Sequence, residues 1–557
     1  MSNKVALGID FGSSSVRVLT LDIETGKVLN SVEQSYSGGV DGVYVSDSDS
    51  LLARQSPADY LKSLETALEK AVVENKKAGI DMSAVAGIGV DATGSTPIPV
   101  TKDMVPLAST DKFKDNLNAY SWMWKDHTSY KEAEEITAKA GELRQQYLGK
   151  IGGAYSSEWY WAKIWRCLKV DKEVFDAAYT WVEFSDFVPA VLTGVKDAAD
   201  LKRNICAAGH KALYSDEWGG YPDNEFLSAL DPGLVKVAET LPKEALSIEH
   251  NAGGLCKEWA DKFGMKEGIP VAMGVMDAHA GGIGSGIKEG SLVKIIGTST
   301  CDLVLGDFNM KNTNILGVAG VVKESVLPGY YGIEAGQSAV GDILNWYISN
   351  VLDNSKSHKE LTDKAKELKP GQSGLLALDW NNGNRNVLTD PMLTGLILGQ
   401  TLQTKDFEIY RALIEATAFG AMRIIEELEN QGVVINEIVN CGGITHKNDL
   451  FMQIYADVIN KPMKIAAIDE TVALGSALMG AHAAYKADGE EISYNDLQAK
   501  SCSVLEKVYM PDPDAVDVYK KLYENYKKLH DEFGVKGTKL ELYGVMKELI
   551  EIKNQIL

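Results

Sequence analysis

The chain has 557 residues, a mass of 60.5 kDa and a formal net charge of −22, with 45% hydrophobic and 24% charged residues. This composition supports ordinary packed cores and excludes both a small disulfide-stapled protein and a long disordered chain. The strong negative charge disfavours nucleic acids and anionic membranes, and we expect neither as a partner.

The cysteines and the N-terminus indicate the compartment. The six cysteines are widely scattered, with no Cys-x-x-Cys pair and no spacing typical of zinc ligands. The first residues lack the apolar segment of a signal peptide, and no later apolar stretch is long enough to span a membrane. We therefore expect a reduced, cytoplasmic protein.

The chain opens with a predicted antiparallel meander. Residues 5–9 and 16–21 are apolar runs, and the turn between them contains Gly12, Ser13 and Ser14. A further turn and a third strand follow directly. The pattern predicts strand, tight turn, strand, rather than a strand that leads into a helix.

Strands and helices alternate after this start, which is typical of an α/β protein. Residues 57–77 have apolar positions at helical spacing, and residues 85–90 form a buried strand. A fresh strand is expected at 271–275, and we place the boundary between two large halves just before it. The predicted domains are residues 1–267, residues 268–500 and, as C-terminal helices packed on the body, residues 501–557.

An internal repeat carries most information about function. Residues 293–305 repeat the pattern of the N-terminal hairpin, with Gly297 and Thr298 in the turn, about half the chain length later. A turn rich in Gly, Ser and Thr directs N–H groups and hydroxyls at one spot, as phosphate-binding turns do. For either turn alone, an ordinary tight turn is the simpler interpretation. Their duplication favours two phosphate-binding turns across one cleft.

Two carboxylates stand at predicted strand ends. Asp10 precedes the first turn, and a carboxylate beside phosphate implies a divalent cation between them, most simply Mg²⁺. Asp277 follows a strand and precedes small residues, which makes it a candidate general base. Asp277 and His279 could also be a metal pair, but no third ligand lies nearby in sequence, so zinc is disfavoured.

Other patterns are weaker. Residues 87–92 match the dinucleotide pattern G-x-G-x-x-A, but they lie inside a strand with no helix after them, so we reject that interpretation. Tryptophans and tyrosines crowd residues 122–165, and we expect most in the core and one or two on a ligand. Neighbouring polar residues, His127 and Glu158 among them, could bind sugar hydroxyls.

Several of these motifs resemble one known family. Gly8-Ile-Asp-Phe-Gly-Ser-Ser-Ser15, Asp277-Ala-His-Ala280, Gly297-Thr298 and Gly442-Gly443 are similar, in order and spacing, to motifs of the FGGY carbohydrate kinases. The resemblance spans about residues 5–484. It implies an α/β fold with two actin-like ATPase (ribonuclease H-like) domains around a central cleft, and ATP and Mg²⁺ as cofactors.

Further blocks resemble the L-ribulokinase branch of that family. They are Gly89-Val-Asp-Ala-Thr-Gly-Ser95, Trp124-Lys-Asp-His127, Ser156-Ser-Glu-Trp159, Ala208-Gly-His-Lys211, Tyr331-Gly-Ile-Glu-Ala-Gly-Gln-Ser338 and Leu378-Asp-Trp-Asn-Asn-Gly-Asn384. Departures from the glycerol kinase and xylulokinase patterns after Asp91-Ala92 and at Ala278 disfavour glycerol and xylulose as preferred substrates.

The resemblance assigns roles to individual residues. It implies that Asp277 deprotonates the sugar hydroxyl and that Asp10 holds Mg²⁺ through water. The residues matching ATP-binding positions are Gly12, Ser13, Ser14, Gly297, Thr298, Gly442, Gly443 and Asn448. The residues matching ketopentose-binding positions are Gly94, Trp124, Lys211, Asp277 and Glu334.

The expected activity is ATP-dependent phosphorylation of L-ribulose to L-ribulose 5-phosphate in L-arabinose catabolism. A kinase for D-ribulose or another ketopentose would share these motifs. A non-catalytic actin-like nucleotide switch is the alternative from another class, and the joint presence of Asp277, Lys211 and Glu334 disfavours it. The expected partners are a small ketopentose and a nucleotide, and a homo-oligomer is compatible with the sequence.

Overall fold

The computed structural model describes residues 4–46, 48–310 and 312–556. Within these ranges, no helix combines the length and apolar character needed to cross a bilayer. The strands up to the middle of the chain are β1 (Val5–Phe11), β2 (Ser15–Asp22), β3 (Val28–Ser35), β4 (Tyr44–Ser46), β5 (Asp49–Gln55), β6 (Val85–Ala92), β7 (Pro97–Val100), β8 (Ser121–Trp122), β9 (Thr180–Glu183), β10 (Asn251–Gly254), β11 (Pro270–Ala272) and β12 (Val275–Met276). The later strands are β13 (Ser291–Ile296), β14 (Thr300–Asp307), β15 (Gly320–Lys323), β16 (Tyr330–Ala335), β17 (Leu376–Leu378), β18 (Leu396–Leu398), β19 (Glu437–Cys441) and β20 (Met463–Ile465).

Helices separate most of these strands. The helices of the first half are α1 (Pro57–Lys77), α2 (Tyr130–Leu143), α3 (Gln145–Gly149), α4 (Tyr160–Val170), α5 (Lys172–Ala177), α6 (Phe184–Thr193), α7 (Ile205–Ala212), α8 (Asn224–Leu230), α9 (Pro232–Ala238), α10 (Lys257–Phe263) and α11 (Asp277–Gly284). Those of the second half are α12 (Gly341–Trp346), α13 (His358–Ala365), α14 (Asp406–Asn430), α15 (Gly443–Lys447), α16 (Asp449–Ile459), α17 (Thr471–Ala487), α18 (Tyr494–Ser501), α19 (Pro513–Gly534) and α20 (Val545–Ile556).

The two large sheets repeat one topology. The first has the order β3-β2-β1-β6-β11-β10, with β12 also paired to β6, and the second has the order β15-β16-β14-β13-β19-β20. In each sheet the opening strand is antiparallel to its hairpin partner and parallel to the strand on its other side. This repeat confirms the predicted α/β fold of two ribonuclease H-like domains.

The local sequence explains the first elements. β1 is buried along its whole length, as expected for a central strand covered on both faces. α1 begins where predicted: the side chain of Ser56 accepts a hydrogen bond from the Asp59 N–H, and Pro57 stands in the first turn, where no backbone donor is needed. Leu64 and Leu68 are buried on its inner face.

The predicted boundary after residue 267 cuts off strands that pair in the first sheet. β11 and β12 both follow that residue, and both pair in parallel with β6. Short strands of this kind give no clear sequence signal for the sheet to which they belong. The first sheet therefore extends to Met276, and we place the division between α11 and β13.

Backbone-to-backbone packing joins the two halves. α17, from the second half, lies across β1 and β6 of the first half and also packs on α11. A Cβ on Gly8 would lie 2.1 Å from the Ala473 carbonyl oxygen, and a Cβ on Gly89 would lie 1.9 Å from the Ser476 carbonyl oxygen. Only glycine permits so close an approach of helix and strand.

The C-terminal helices connect to the second sheet. α19 packs on α16. The Tyr526 hydroxyl donates to Asp379 Oδ1 at 3.0 Å, and Gln337 Nε2 donates to Asp379 Oδ2 at 2.8 Å. The Gln337 backbone N–H donates in turn to Thr300 Oγ1 at 2.9 Å. This relay links α19 to the first residue of β14, beside the second hydroxyl-rich turn.

The close contact at Gly89 predicts that a larger residue there lowers the stability of the protein. In Gly89→Ala the new Cβ meets the Ser476 carbonyl oxygen, so the helix and the sheet must separate. We expect the unfolding free energy to fall by about 1–3 kcal/mol, as for overpacked cores, measured by urea denaturation. Gly141→Ala is the control, because Gly141 lies on α2 and its nearest outside atom, Leu148 Cδ1, is 3.9 Å away. Equal denaturation midpoints for the two variants would contradict the prediction.

Candidate functional site

Three carboxyl groups meet at the carboxyl ends of adjacent parallel strands. Asp10 on β1 and Asp91 on β6 are register partners, and Asp277 directly follows β12, which pairs with β6. Burial raises the pKa of Asp277 to about 7, opposed by the Ala278 N–H and supported by the negative charge of Asp10. The three groups therefore act on one another electrostatically.

This acid cluster fits a divalent cation. Burial raises the pKa of Asp10 and, together with the charge of Asp10, raises the pKa of Asp91 well above its ordinary value. Ser476 Oγ donates to Asp91 Oδ2 at 2.6 Å, whereas the buried Asp91 Oδ1 accepts no hydrogen bond from the described residues. Arg17 Nη1 is 3.9 Å from Asp10 Oδ2. Oxygen ligands with uncompensated charge are what Mg²⁺ prefers.

The first turn contacts the aromatic segment. Trp124 Nε1 donates to Ser13 Oγ at 3.0 Å, and Gln55 Nε2 donates to the Ser13 carbonyl oxygen at 2.8 Å. A Cβ on Gly94 would lie 2.5 Å from Met276 Sδ, so Gly94 packs against the residue before Asp277. Gly12 and Ser13 are half-buried and Ser14 is exposed. The structure therefore brings the predicted residues of the first half together around the end of the sheet.

The second turn lies beside the end of β19. Gly297 and Thr298 are exposed, and the Gly341 N–H donates to the Gly297 carbonyl oxygen at 3.2 Å. Gly442 packs against β13, since a Cβ on it would lie 2.1 Å from the Ile296 carbonyl oxygen. Gly443 is exposed, with open space where a Cβ would stand. These glycines and Thr298 lie together at the carboxyl ends of β13 and β19.

Asn448 has a structural role in the same region. Its side-chain oxygen caps α16 by accepting from the Phe451 N–H at 3.1 Å, and its Nδ2 donates to Thr362 Oγ1 at 3.3 Å. Both ends of the amide are thus engaged. The predicted ATP-binding role of Asn448 stays a prediction.

A paired-charge network adjoins the acid cluster. Lys211 Nζ on α7 donates to both carboxylate oxygens of Glu334 on β16, at 3.0 and 3.2 Å. Burial alone would raise the pKa of Glu334, but Lys211 beside it gives a net decrease. Burial alone would likewise lower the pKa of Lys211, and Glu334 gives a net increase. Both charges are therefore retained at neutral pH, and both act on the pKa of Asp277.

A second ion pair was not predicted as a pair. Arg385 Nη2, from the second half, donates to Glu158 Oε1, from the first half, at 3.2 Å. Burial would raise the pKa of Glu158, but Arg385 and His127 lower it. Sequence reasoning named Glu158 as a possible hydroxyl-binding group and missed Arg385. The available signal was its position directly after the block Leu378–Asn384, one of those similar to the ribulokinase branch.

Asp91 and Lys163 were also missed. Asp91 lies within residues 87–92, whose glycine pattern was considered only as a dinucleotide site, so its carboxylate was not predicted as a ligand. Lys163 on α4 is buried, and its Nζ donates to the carbonyl oxygens of Ser95, Trp122 and Met123 at 2.8, 3.3 and 2.8 Å. It therefore ties the segment after Gly94 to the segment before Trp124.

A separate cavity of about 380 Å³ lies between the halves behind α7. Leu213, Trp218, Val322 and Tyr331 are among its lining residues, and the acid cluster is not. Its charged residues are already paired, with Lys323 3.3 Å from Asp216. We therefore place the candidate site at the strand ends.

Comparisons with known proteins indicate the family of the chain. The N-terminal domain of the FGGY family of carbohydrate kinases matches residues 5–284, and the C-terminal domain of that family matches residues 292–484. A ribulokinase of Halalkalibacterium halodurans is 39% identical over 570 aligned residues, covering 100% of this chain and 98% of the relative. A ribulokinase of Shouchella clausii is 40% identical over 550 residues and 95% of each chain. The structure of a xylulose kinase from Lactobacillus acidophilus superposes with a TM-score of 0.77 at 19% identity, over 96% of this chain and 99% of that one.

The Lys211–Glu334 pair gives a stability prediction. Lys211→Met leaves the Glu334 carboxylate without its counter-ion in a mostly buried place, so we expect the unfolding free energy at pH 8 to fall by about 3 kcal/mol or more. Without Lys211 the pKa of Glu334 in the folded state rises above its unfolded value. The loss should therefore shrink as the pH falls and Glu334 takes up a proton.

Denaturation by urea across pH 5–8 measures this effect. The double variant Lys211→Met/Glu334→Leu removes both charges and should recover most of the stability. Lys323→Met is the control, because Lys323 is half exposed and its pair with Asp216 should contribute less than about 1 kcal/mol. A Lys211→Met variant as stable as Lys323→Met would show that the pair is not a buried one.

Proposed function

Because this chain belongs to the FGGY family of carbohydrate kinases, we propose that it phosphorylates L-ribulose with ATP, giving L-ribulose 5-phosphate for L-arabinose catabolism. The observation that carries this proposal is the Lys211–Glu334 pair next to Asp277 at the ends of the parallel strands. The near full-length similarity to ribulokinases supports a pentulose as the sugar. Use of ATP favours a cytoplasmic location.

The paired-charge network suits a polyhydroxylated substrate. Glu334 is ionised and can only accept hydrogen bonds, whereas Lys211 can only donate. Each sugar hydroxyl both donates and accepts, so a pair of this kind binds neighbouring hydroxyls in a defined direction. Trp124 and Gly94 would border the same pocket, since an indole face suits the C–H face of a sugar.

Asp277 is the proposed general base. A pKa of about 7 is close to the operating pH, where a base combines sufficient ionisation with sufficient proton affinity. Its carboxylate takes the proton of the terminal sugar hydroxyl while that oxygen bonds to the γ-phosphorus. The bond to the bridging oxygen of ADP breaks in the same loose, in-line transition state.

The remaining predicted residues belong to the nucleotide side. Asp10, with Asp91 behind it, would hold Mg²⁺, which when bound neutralises charge on the phosphate oxygens. Ser13 and Thr298 supply hydroxyl and backbone donors from the two turns. Gly443 leaves room for the nucleotide to approach the backbone, and Gly442 lets this segment pack closely on β13. Positioning and charge neutralisation, rather than a covalent intermediate, then account for the rate.

A kinase for D-ribulose or another ketopentose is the alternative, because it would use the same residues in a slightly different pocket. Membership of a carbohydrate kinase family sets aside the non-catalytic nucleotide switch.

A coupled assay for ADP tests the substrate. With ATP and Mg²⁺, we expect kcat/KM for L-ribulose to exceed that for D-ribulose, D-xylulose and L-xylulose by about tenfold or more, because each of these stereoisomers leaves a polar group of the site unpaired. ATP hydrolysis without sugar should be slow, because the site closes around bound sugar and the closed site excludes water. ADP formation that is indifferent to pentose would overturn the proposal, and a preference for D-ribulose would select the alternative.

The base assignment is tested by Asp277→Asn. Loss of a positioned general base should lower kcat for L-ribulose by about 10²–10⁴-fold, with little change in the KM for sugar. Steady-state kinetics with purified protein measures both constants.

Asp261→Asn is the matched control, because Asp261 is an exposed carboxylate on α10 that pairs with Lys257. In the wild type, the pKa of Asp277 near 7 provides an independent check. The reaction needs the carboxylate, so kcat/KM should fall as the pH decreases through about 7. A flat profile between pH 5.5 and 8, or a normal kcat in Asp277→Asn, would show that another group is the base.

A further inference from the structure

Two histidines lie beside one carboxylate oxygen of Glu334. His210 Nδ1 on α7 lies 3.5 Å from Glu334 Oε2, and His279 Nε2 on α11 lies 3.9 Å from the same oxygen. The two rings are buried, with centroids 4.7 Å apart. His210 Nδ1 and both ring nitrogens of His279 have no hydrogen-bond partner within the described residues. Buried polar atoms are rarely left unpaired, so these nitrogens require a role.

Both rings are neutral near pH 7. Burial lowers the pKa of His210 well below its ordinary value and lowers the pKa of His279 to about 4. A neutral imidazole has one N–H donor and one acceptor nitrogen. The question is therefore which nitrogen of each ring carries the hydrogen.

The tautomer of His210 depends on its two neighbours, Ser325 and Glu334. Its hydroxyl lies 3.0 Å from His210 Nε2 and 3.2 Å from the Val322 carbonyl oxygen, and it has one hydrogen to donate. If that hydrogen went to Val322, His210 Nε2 would have to be the donor, and the Nδ1 lone pair would face a carboxylate oxygen. Donation from Ser325 to Nε2 avoids this repulsion and turns the Nδ1 N–H toward Glu334.

We propose that His210 and His279 are positioning residues, whose ring N–H groups stabilise Glu334 Oε2 electrostatically from 3.5 and 3.9 Å and leave Oε1 to accept from a sugar hydroxyl. The inference rests on the proposed function, because it takes Glu334 to bind the sugar. Each carboxylate oxygen has about two acceptor sites, and Lys211 fills one on each, so Oε1 keeps one open site for a hydroxyl. One open site accepts a hydroxyl from one direction, which discriminates between epimers of a ketopentose.

Because of its position on α11, His279 also helps to position the proposed base, Asp277. His279 and Asp277 both lie in the first turn of α11, so the contact that holds Glu334 also holds the helix that carries Asp277. The sugar-binding carboxylate and the base are thereby positioned by one element.

A metal ion is the competing interpretation. Ligand atoms of His210, His279 and Glu334 all lie within 4.8 Å of one another, close enough to share a cation such as Zn²⁺. Lys211 Nζ, at 3.0 Å from Glu334 Oε1, argues against it, because an ammonium group repels a nearby cation.

Leucine and amide substitutions separate donor loss from simple packing effects. His279→Leu and His210→Leu remove the N–H and should raise the KM for L-ribulose by about tenfold or more while the KM for ATP stays unchanged. His279→Gln and His210→Asn place an amide N–H near the lost donor and should keep the sugar KM within about threefold of the wild type. His530→Leu, the loss of a buried histidine on α19, is the control.

A double-mutant cycle with Glu334→Gln shows whether the histidines act through Glu334. Sugar affinity is measured by calorimetry, so variants with little turnover are still informative. If the proposal is correct, His279→Leu costs nothing further once Glu334 is Gln. Additive losses would overturn it, as would leucine variants with wild-type sugar KM. One equivalent of Zn²⁺ bound by the sugar-free enzyme and lost in His279→Leu would overturn it too, because the nitrogens would then be metal ligands.

The proposed function and this inference fail differently. If the wild type phosphorylates no ketopentose, the function fails. If it phosphorylates L-ribulose and the leucine variants are indifferent, only the positioning role fails.

Discussion

The site depends on how closely helices α11 and α17 can approach the first sheet and each other. Glycines on β1 and β6 let the backbone of α17 touch the strands, and Gly475 does the same against α11, where a Cβ would lie 1.8 Å from the Ala280 carbonyl oxygen. The contact fixes the acid cluster from two sides, because α17 carries Ser476, which donates to Asp91, and α11 begins with Asp277. A larger side chain in this layer would displace the carboxylates together with the helices.

Charge is distributed unevenly between the two sides of the site. On one side, Asp10 and Asp91 are buried, Asp277 is partly buried, and Arg17 lies 3.9 Å from Asp10, so the three pKa values rise because the protein compensates the ionised carboxylates poorly. On the other side, the two partly buried carboxylates Glu158 and Glu334 each have a cationic partner, and their pKa values fall. The first arrangement suits a ligand that brings its own cation, and the second suits a neutral ligand with many hydroxyls.

Local sequence patterns predicted much of the fold, whereas the parts that depend on pairing between distant residues could not be predicted. The helix at 57–77 and both hairpin turns are set by residues close in sequence, and the structure agrees with them. The domain boundary depended on which sheet two short strands join, which periodicity does not encode. His279 lacked a nearby third ligand in sequence, yet Glu334, far along the chain, lies beside it. The roles of Arg385 and Lys163 likewise could not be predicted, because their partners are distant in sequence.

The relay from Tyr526 through Asp379 and Gln337 to Thr300 has a consequence for biosynthesis. Domains generally fold as they leave the ribosome, N-terminal parts first. The Gln337 and Gly341 contacts of the second hydroxyl-rich turn can form early, but Tyr526 joins the relay only after a helix more than two hundred residues downstream has emerged. A nascent chain stalled before that helix would lack the Tyr526 end of the relay, so its nucleotide-side scaffold would stay incomplete.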